Sequence, residues 1–182
     1  MNLPNVLTLA RFVMVPIFML FLTFNNTWST VIALVVFSVA ALTDFFDGYL
    51  ARKLNQVTTF GKFIDPMADK LLMVAAWLAF IEMGDLSAIA GMILIGRELL
   101  VTGLRVLAAS QGTVIPAGPL GKAKTVIHII MVIAILLSHL VDVGVWDMPI
   151  TATMIWVSVI ISFVSGIQYF YNAKSLFSSE PS

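Results

Sequence analysis

At 182 residues, a chain that is 60% hydrophobic and only 11% charged has too few polar side chains to cover a soluble domain. A hydrocarbon core of roughly 30 Å takes about 20 apolar residues per crossing, so the chain has room for about six spans and no separate soluble domain. Its formal net charge of zero points to no partner by itself, no nucleic-acid partner is expected, and the lack of cysteine excludes disulfides and thiolate metal sites.

Apolar runs between polar or Gly/Pro breaks predict helices over 5–24, 29–54, 60–83, 86–109, 121–142 and 149–173. The expected fold is all-α: a polytopic membrane protein of six transmembrane helices forming one domain over residues 1–182. The first run is too long for a signal peptide and ends in FNNTWST without a small-residue cleavage pattern, so it reads as a retained span, kinked at Pro16. Lys and Arg are absent from 25–28, 84–85 and 143–148. By contrast, Arg11, Arg52, Lys53, Lys62, Lys70, Arg105, Lys122, Lys124 and Lys174 fall toward the other ends of the spans. Cationic residues favour the cytoplasmic side, which puts both termini in the cytoplasm.

Between the second and third helices lies ALTDFFDGYLARKLNQVTTFGKFIDPMADK, which concentrates four aspartates in an otherwise apolar sequence. Residues three, four and seven apart share a helix face. Asp44, Asp47, Gly48 and Ala51 then form one stripe with Arg52 at its border, and Gly61, Asp65 and Asp69 form a second on the next helix. A short hairpin sets the stripes opposite each other, so that four carboxylates converge. Each such acid costs about 3 kcal/mol at the centre of a membrane helix, and together they raise one another's pKa. A divalent cation resolves both problems, and an all-oxygen ligand set favours Mg²⁺ or Mn²⁺ over Zn²⁺. The competing reading is four solvated interfacial acids paired with Arg52, Lys53, Lys62 and Lys70. Gly48, Ala51 and Gly61 either let the helices pack closely or leave backbone exposed as the floor for a flat ligand.

The pattern Asp44-x-x-Asp47-Gly48-x-x-Ala51-Arg52, eight residues, then Gly61-x-x-x-Asp65-x-x-x-Asp69 resembles the signature of the CDP-alcohol phosphatidyltransferases at every fixed position. The resemblance implies a six-helix membrane enzyme, commonly a homodimer, that transfers the phosphatidyl part of a CDP-linked lipid to an alcohol and releases CMP. The stretches NLPNVLTLARF, IGRELLVTGLR and GKAKT are similar to the branch whose donor is CDP-diacylglycerol and whose acceptor is sn-glycerol 3-phosphate. By that likeness two Mg²⁺ or Mn²⁺ ions would be held by Asp44, Asp47, Asp65 and Asp69. Asp69, or else Asp65, would be the general base, and Asp44, Gly48, Ala51, Arg52 and Gly61 would line the nucleotide of the donor. The expected setting is a bacterial cytoplasmic (inner) membrane, with membrane lipids around the chain and the active site facing the cytoplasm. Sister branches use inositol phosphate, serine or choline as acceptor. From a different class, a divalent-cation transporter would also carry acids on facing membrane helices, although with some near the midplane.

Four cations remain for the acceptor phosphate. Arg97 lies midway along the fourth helix, an expensive depth for a guanidinium, and Arg105 lies two turns further on. Lys122 and Lys124 open the fifth helix. Arg105, Lys122 and Lys124 are expected to form a cationic pocket, with Glu98 either orienting the arginines or closing a structural pair with Arg97. Alternatively the lysines are ordinary positive-inside anchors. GPLGKAKT lacks the spacer of a phosphate-binding loop and follows no strand, so it is set aside. His128 and His139 read as packed or hydrogen-bonded histidines, and Trp28 and Trp146 as interfacial anchors.

Overall fold

The computed structural model describes residues 3–24, 26–53, 59–112, 118–140 and 149–174; within these, the side chains of 3–5, 7, 44–53, 59–66, 69 and 149 lie outside the description. Among the described residues six helices follow one another: α1 (Leu3–Thr23), α2 (Thr27–Lys53), α3 (Thr59–Met83), α4 (Ala88–Ser110), α5 (Pro119–Ser138) and α6 (Pro149–Asn172). There is no strand among the described residues.

The helix ends follow local chemistry. Asn26 caps α2, its Oδ1 accepting from Ser29 N at 2.9 Å while Asn26 N donates to Ser29 Oγ at 3.3 Å. Gly84, at φ +87°, stops α3: its N donates to Ile81 O, and Asp85 N donates to Phe80 O, the paired bonds of a glycine-terminated helix. Ser87 then caps α4 through Ala90 N. Pro119 opens α5 at the one position where a missing N–H costs nothing. α5 ends at Ser138, short of the expected 142. Its last turn tightens, with Leu140 N bonded to Leu137 O, and residues 141 and 142 lie outside the described set. α1 continues as helix through Pro16, whose ring cannot donate to the preceding turn.

The chain divides into two compact units. Residues 1–85 and 132–147 belong to one, and 86–131 and 148–182 to the other. In the first, α1 packs on α2 and α3, and α2 on α3. Phe18 and Phe37 meet with ring centroids 5.7 Å apart, and Ala33, Ala40, Ala68, Ala75 and Ala76 are buried, the small residues that let membrane helices approach. Arg11 is wholly buried in this unit and donates from Nε to Ala40 O at 3.3 Å. In the second unit α4 packs on α6. Ala90, Leu94, Val101, Leu104 and Ala108 form the buried stripe of α4, and Val101 and Leu104 cluster with Tyr169 and Ala173 of α6.

Exposed faces are as apolar as buried ones. On α1, Val6, Leu9, Val13, Ile17 and Leu20 point outward at helical spacing, as do Trp156, Ile160, Phe163 and Ile167 on α6. That pattern suits lipid rather than water. Pro119–Ser138 and Ile150–Asn172 are long and apolar enough to cross a membrane, and Thr8–Thr23 and Thr27–Thr43 are shorter apolar helices. α4 carries Arg97, Glu98 and Arg105 within nine residues, charge that its interior has to accommodate.

Candidate functional site

Asp44, Asp47, Gly48, Ala51 and Arg52 belong to the last turns of α2, and Gly61, Asp65 and Asp69 to the first half of α3. Both stripes are therefore helical, as their spacing requires, and α2 packs on α3. The side chains of these residues lie outside the described set. Among the described residues no three acids or histidines converge.

The described polar chemistry is concentrated in the second unit, where α4, α5 and α6 each contribute. Glu98 of α4 is its hub. Its Oε1 accepts from Arg97 Nη1 at 3.2 Å and also from Lys124 Nζ of α5. All three side chains are nearly buried, at 9% exposure for Arg97, 12% for Glu98 and 7% for Lys124. Two cations share this one carboxylate, in surroundings where charge is weakly screened. Arg97 reaches further, donating from Nη2 to Ser165 Oγ on α6 at 3.0 Å, and its guanidinium lies 5.6 Å from the ring centre of Tyr169. Ser165 Oγ in turn donates to Ser162 O at 3.1 Å. The guanidinium Nε is buried and has no hydrogen-bond acceptor among the described residues. A buried N–H left unmade costs about 1–3 kcal/mol, so the cluster holds an open donor beside its two cations. Such a centre is equipped to bind an oxyanion.

One turn along α5 from Lys124, His128 is 1% exposed. Its Nε2 pairs with Ser162 Oγ at 2.8 Å, and its ring also hydrogen-bonds the Ser158 backbone. His139, by contrast, is exposed and pairs with Asp85 Oδ2 at 2.8 Å. Both are hydrogen-bonded histidines, as their isolation in apolar sequence suggested. Trp28 is 80% exposed at the start of α2, whereas Trp146 lies outside the described residues.

The expected grouping of Arg105, Lys122 and Lys124 is rearranged. Lys124 is buried with Glu98 and Arg97, while Arg105 and Lys122 are exposed. Residues two apart on a helix point to opposite sides, which separates Lys122 from Lys124. Eight residues along α4 is a rise of about 12 Å, which separates Arg105 from Arg97. Ser158, Ser162, Ser165 and Tyr169 were not anticipated. Their spacing of four, three and four draws a single hydroxyl stripe along an otherwise apolar helix, a legible mark of an interhelical polar contact.

The model of the CDP-alcohol phosphatidyltransferase family matches residues 1–164. Among curated proteins, the chain is 41% identical over 181 residues to a CDP-diacylglycerol--glycerol-3-phosphate 3-phosphatidyltransferase of Bacillus subtilis, covering 93% of each chain. It is 35% identical over 177 residues to the protein of that name in Rickettsia typhi, covering 97% of this chain and 99% of the relative. A third, from Wigglesworthia glossinidia brevipalpis, is 36% identical with 95% of each chain covered.

Proposed function

Because the chain belongs to the CDP-alcohol phosphatidyltransferase family, we propose that it transfers the phosphatidyl group of CDP-diacylglycerol to sn-glycerol 3-phosphate, giving phosphatidylglycerol phosphate and CMP. The observation that carries this choice of donor and acceptor is the full-length similarity to relatives named for both. The buried Arg97–Glu98–Lys124 cluster adds a site suited to the acceptor's phosphate.

In this reading the acceptor hydroxyl attacks the lipid-side phosphorus of the donor. A new P–O bond forms there, the bond to the bridging oxygen breaks, and its electron pair leaves with CMP. Asp69 takes the hydroxyl proton, with Asp65 the other candidate. Asp44, Asp47, Asp65 and Asp69 are the residues that would hold Mg²⁺ or Mn²⁺, as two ions; an all-carboxylate set at helical spacing fits such hard cations. When bound, the metal supplies charge compensation for the diphosphate and the departing CMP. Gly48, Ala51, Arg52 and Gly61 line the nucleotide. The phosphate of the acceptor is held by Arg97 and Lys124, with Arg105 and Lys122 drawing the anion in from the exposed surface. Phosphoryl transfer depends mostly on positioning and charge stabilisation, which such groups provide.

The same reading places six spans and an active site facing the cytoplasm in a bacterial inner membrane, with the enzyme as a homodimer. Purified protein incubated with CDP-diacylglycerol, glycerol 3-phosphate and Mg²⁺ tests donor, acceptor and reaction together. CMP release that depends on the acceptor, with phosphatidylglycerol phosphate as co-product, is expected. Release with serine or inositol phosphate but not glycerol phosphate would move the enzyme to a sister branch.

A further inference from the structure

A buried carboxylate placed between two cations intended for a phosphate is an apparent contradiction, since it competes with the ligand for both. Its geometry explains its presence. Arg97 and Glu98 are neighbours on α4, and Lys124 comes from α5, so without an acid between them two positive charges from different helices repel in a weakly screened interior. Both contacts fall on a single oxygen, Oε1, which draws the guanidinium and the ammonium to one point. Thr102 anchors this turn of α4, its hydroxyl donating to Glu98 O at 2.6 Å. Ser165 Oγ fixes the far side of the guanidinium from α6. Arg97 is thus held on two sides, yet its Nε–H has no acceptor among the described residues. The donor left over is on the same planar group that Glu98 and Ser165 orient, as if its acceptor arrives with a ligand.

We propose that Glu98 is a positioning residue for the acceptor phosphate: it touches no substrate, and acts by holding Arg97 and Lys124 together so that both address one phosphoryl group. This rests on the reading of Arg97 and Lys124 as the acceptor-phosphate site and names the group that assembles that site. Glu98 screens the two cations from each other, keeps the pair together when no acceptor is bound, and leaves the Arg97 Nε donor open for the phosphate. A purely structural acid would support the fold and leave the two substrates equally affected.

The test is a mutant cycle on the full chain in detergent or nanodiscs, reading KM for glycerol 3-phosphate and for CDP-diacylglycerol separately. Lys124→Met is expected to raise the acceptor KM by about tenfold or more, the worth of a charge-assisted contact, and the donor KM by less than about twofold. Glu98→Gln should show the same split. If Glu98 works through Lys124 and Arg97, adding Glu98→Gln to Lys124→Met produces much less than the product of the two single effects. Where Glu98→Gln fails to fold, Glu98→Asp is read instead: it keeps the charge but falls one methylene short, and should raise the acceptor KM by about threefold or more at unchanged melting temperature. An acceptor KM unmoved by the Glu98 variants while Lys124→Met raises it would overturn the positioning role and leave the phosphate site standing. Equal rises for both substrates, or fully multiplicative effects in the double variant, would also overturn the role. An acceptor KM unmoved by Lys124→Met would remove the phosphate site and this proposal together.

Discussion

Gly166 on α6 makes room for Arg97 on α4: a Cβ at that glycine would stand 3.2 Å from Arg97 Cγ. The stem of the arginine therefore crosses α6 where there is no side chain, on its way to Ser165. Gly166→Ala sets two effects against each other. Alanine gains about 1 kcal/mol of helix propensity, while the stem has to give by a few tenths of an ångström. Because Glu98 and Ser165 grip the guanidinium, the displacement is felt at its head. The variant is expected to unfold within about 1 kcal/mol of the parent, yet to show an acceptor KM raised about threefold or more. Melting in detergent and paired KM measurements check both halves, and an unchanged acceptor KM would show that Arg97 tolerates the shift.

Burial ranks the four cations. Lys124 is 7% exposed and bonded to Glu98, whereas Arg105 and Lys122 are exposed. Exposed charges are screened and contribute on the order of 1 kcal/mol or less, while a buried charge-assisted contact contributes about 1.5–3 kcal/mol. Lys124→Ala should therefore raise the acceptor KM more than either Arg105→Ala or Lys122→Ala, and the two exposed variants should lose their effect at high salt. Initial rates against glycerol 3-phosphate at low and high ionic strength decide the order. A larger effect at Arg105 would move the phosphate site toward the end of α4.

The six helices were legible because apolar runs and their breaks are local properties. Asn26 and Ser87 open helices through side-chain oxygens and Gly84 closes one through its backbone; Asn26 and Gly84 lie where a break was expected, and Ser87 falls just inside the helix expected from 86. That the aspartates of the two stripes fall on helices was legible for the same reason, as helical spacing needs no knowledge of neighbours. Lys122 and Lys124 face different surroundings because closeness in sequence is not closeness on a helix: one side chain turns inward to Glu98 and the other outward. The Ser158–Ser162–Ser165 stripe was written in the sequence too, but hydroxyls in an apolar helix carry no charge to draw the eye. Which helices they join is a tertiary fact. No spacing rule could have paired Lys124 with a glutamate 26 residues away.

Chelation and substitution together would separate the roles proposed for the four aspartates. Removing divalent ions with a chelator should abolish CMP release, and Mg²⁺ or Mn²⁺ should restore it. Asp69→Asn at saturating metal is expected to retain donor binding and lose about 10²–10⁴ in kcat, the usual contribution of a general base. Asp44→Asn or Asp47→Asn should instead abolish metal-dependent binding of CDP-diacylglycerol, measured by calorimetry. Near-normal turnover of Asp69→Asn would pass the base to Asp65, and unchanged donor affinity in the Asp44 and Asp47 variants would remove them as ligands.

His128 and Ser162 offer a test of what holds α5 to α6. Their bond of 2.8 Å joins two side chains that are 1% and 0% exposed, and the imidazole also reaches the Ser158 backbone. Hydrogen bonds between membrane helices contribute only about 0.6 kcal/mol on average and up to about 1.7, because a partner lost can often be replaced. Ser162 has such a replacement, since a helical serine can bond the carbonyl one turn back. His128→Ala is therefore expected to cost about 1–3 kcal/mol, mostly from the cavity left by the ring, and Ser162→Ala less than about 1 kcal/mol. The two losses should not add, since removing both partners leaves no orphaned group. Lys124 lies one turn from His128 on the same face of α5, so His128→Ala should also raise the acceptor KM by a few-fold, roughly in step with the lost stability. Unfolding in mixed micelles, with KM measured on the same four proteins, checks both expectations. Additive losses would mean that the ring packs against α6 without the bond contributing.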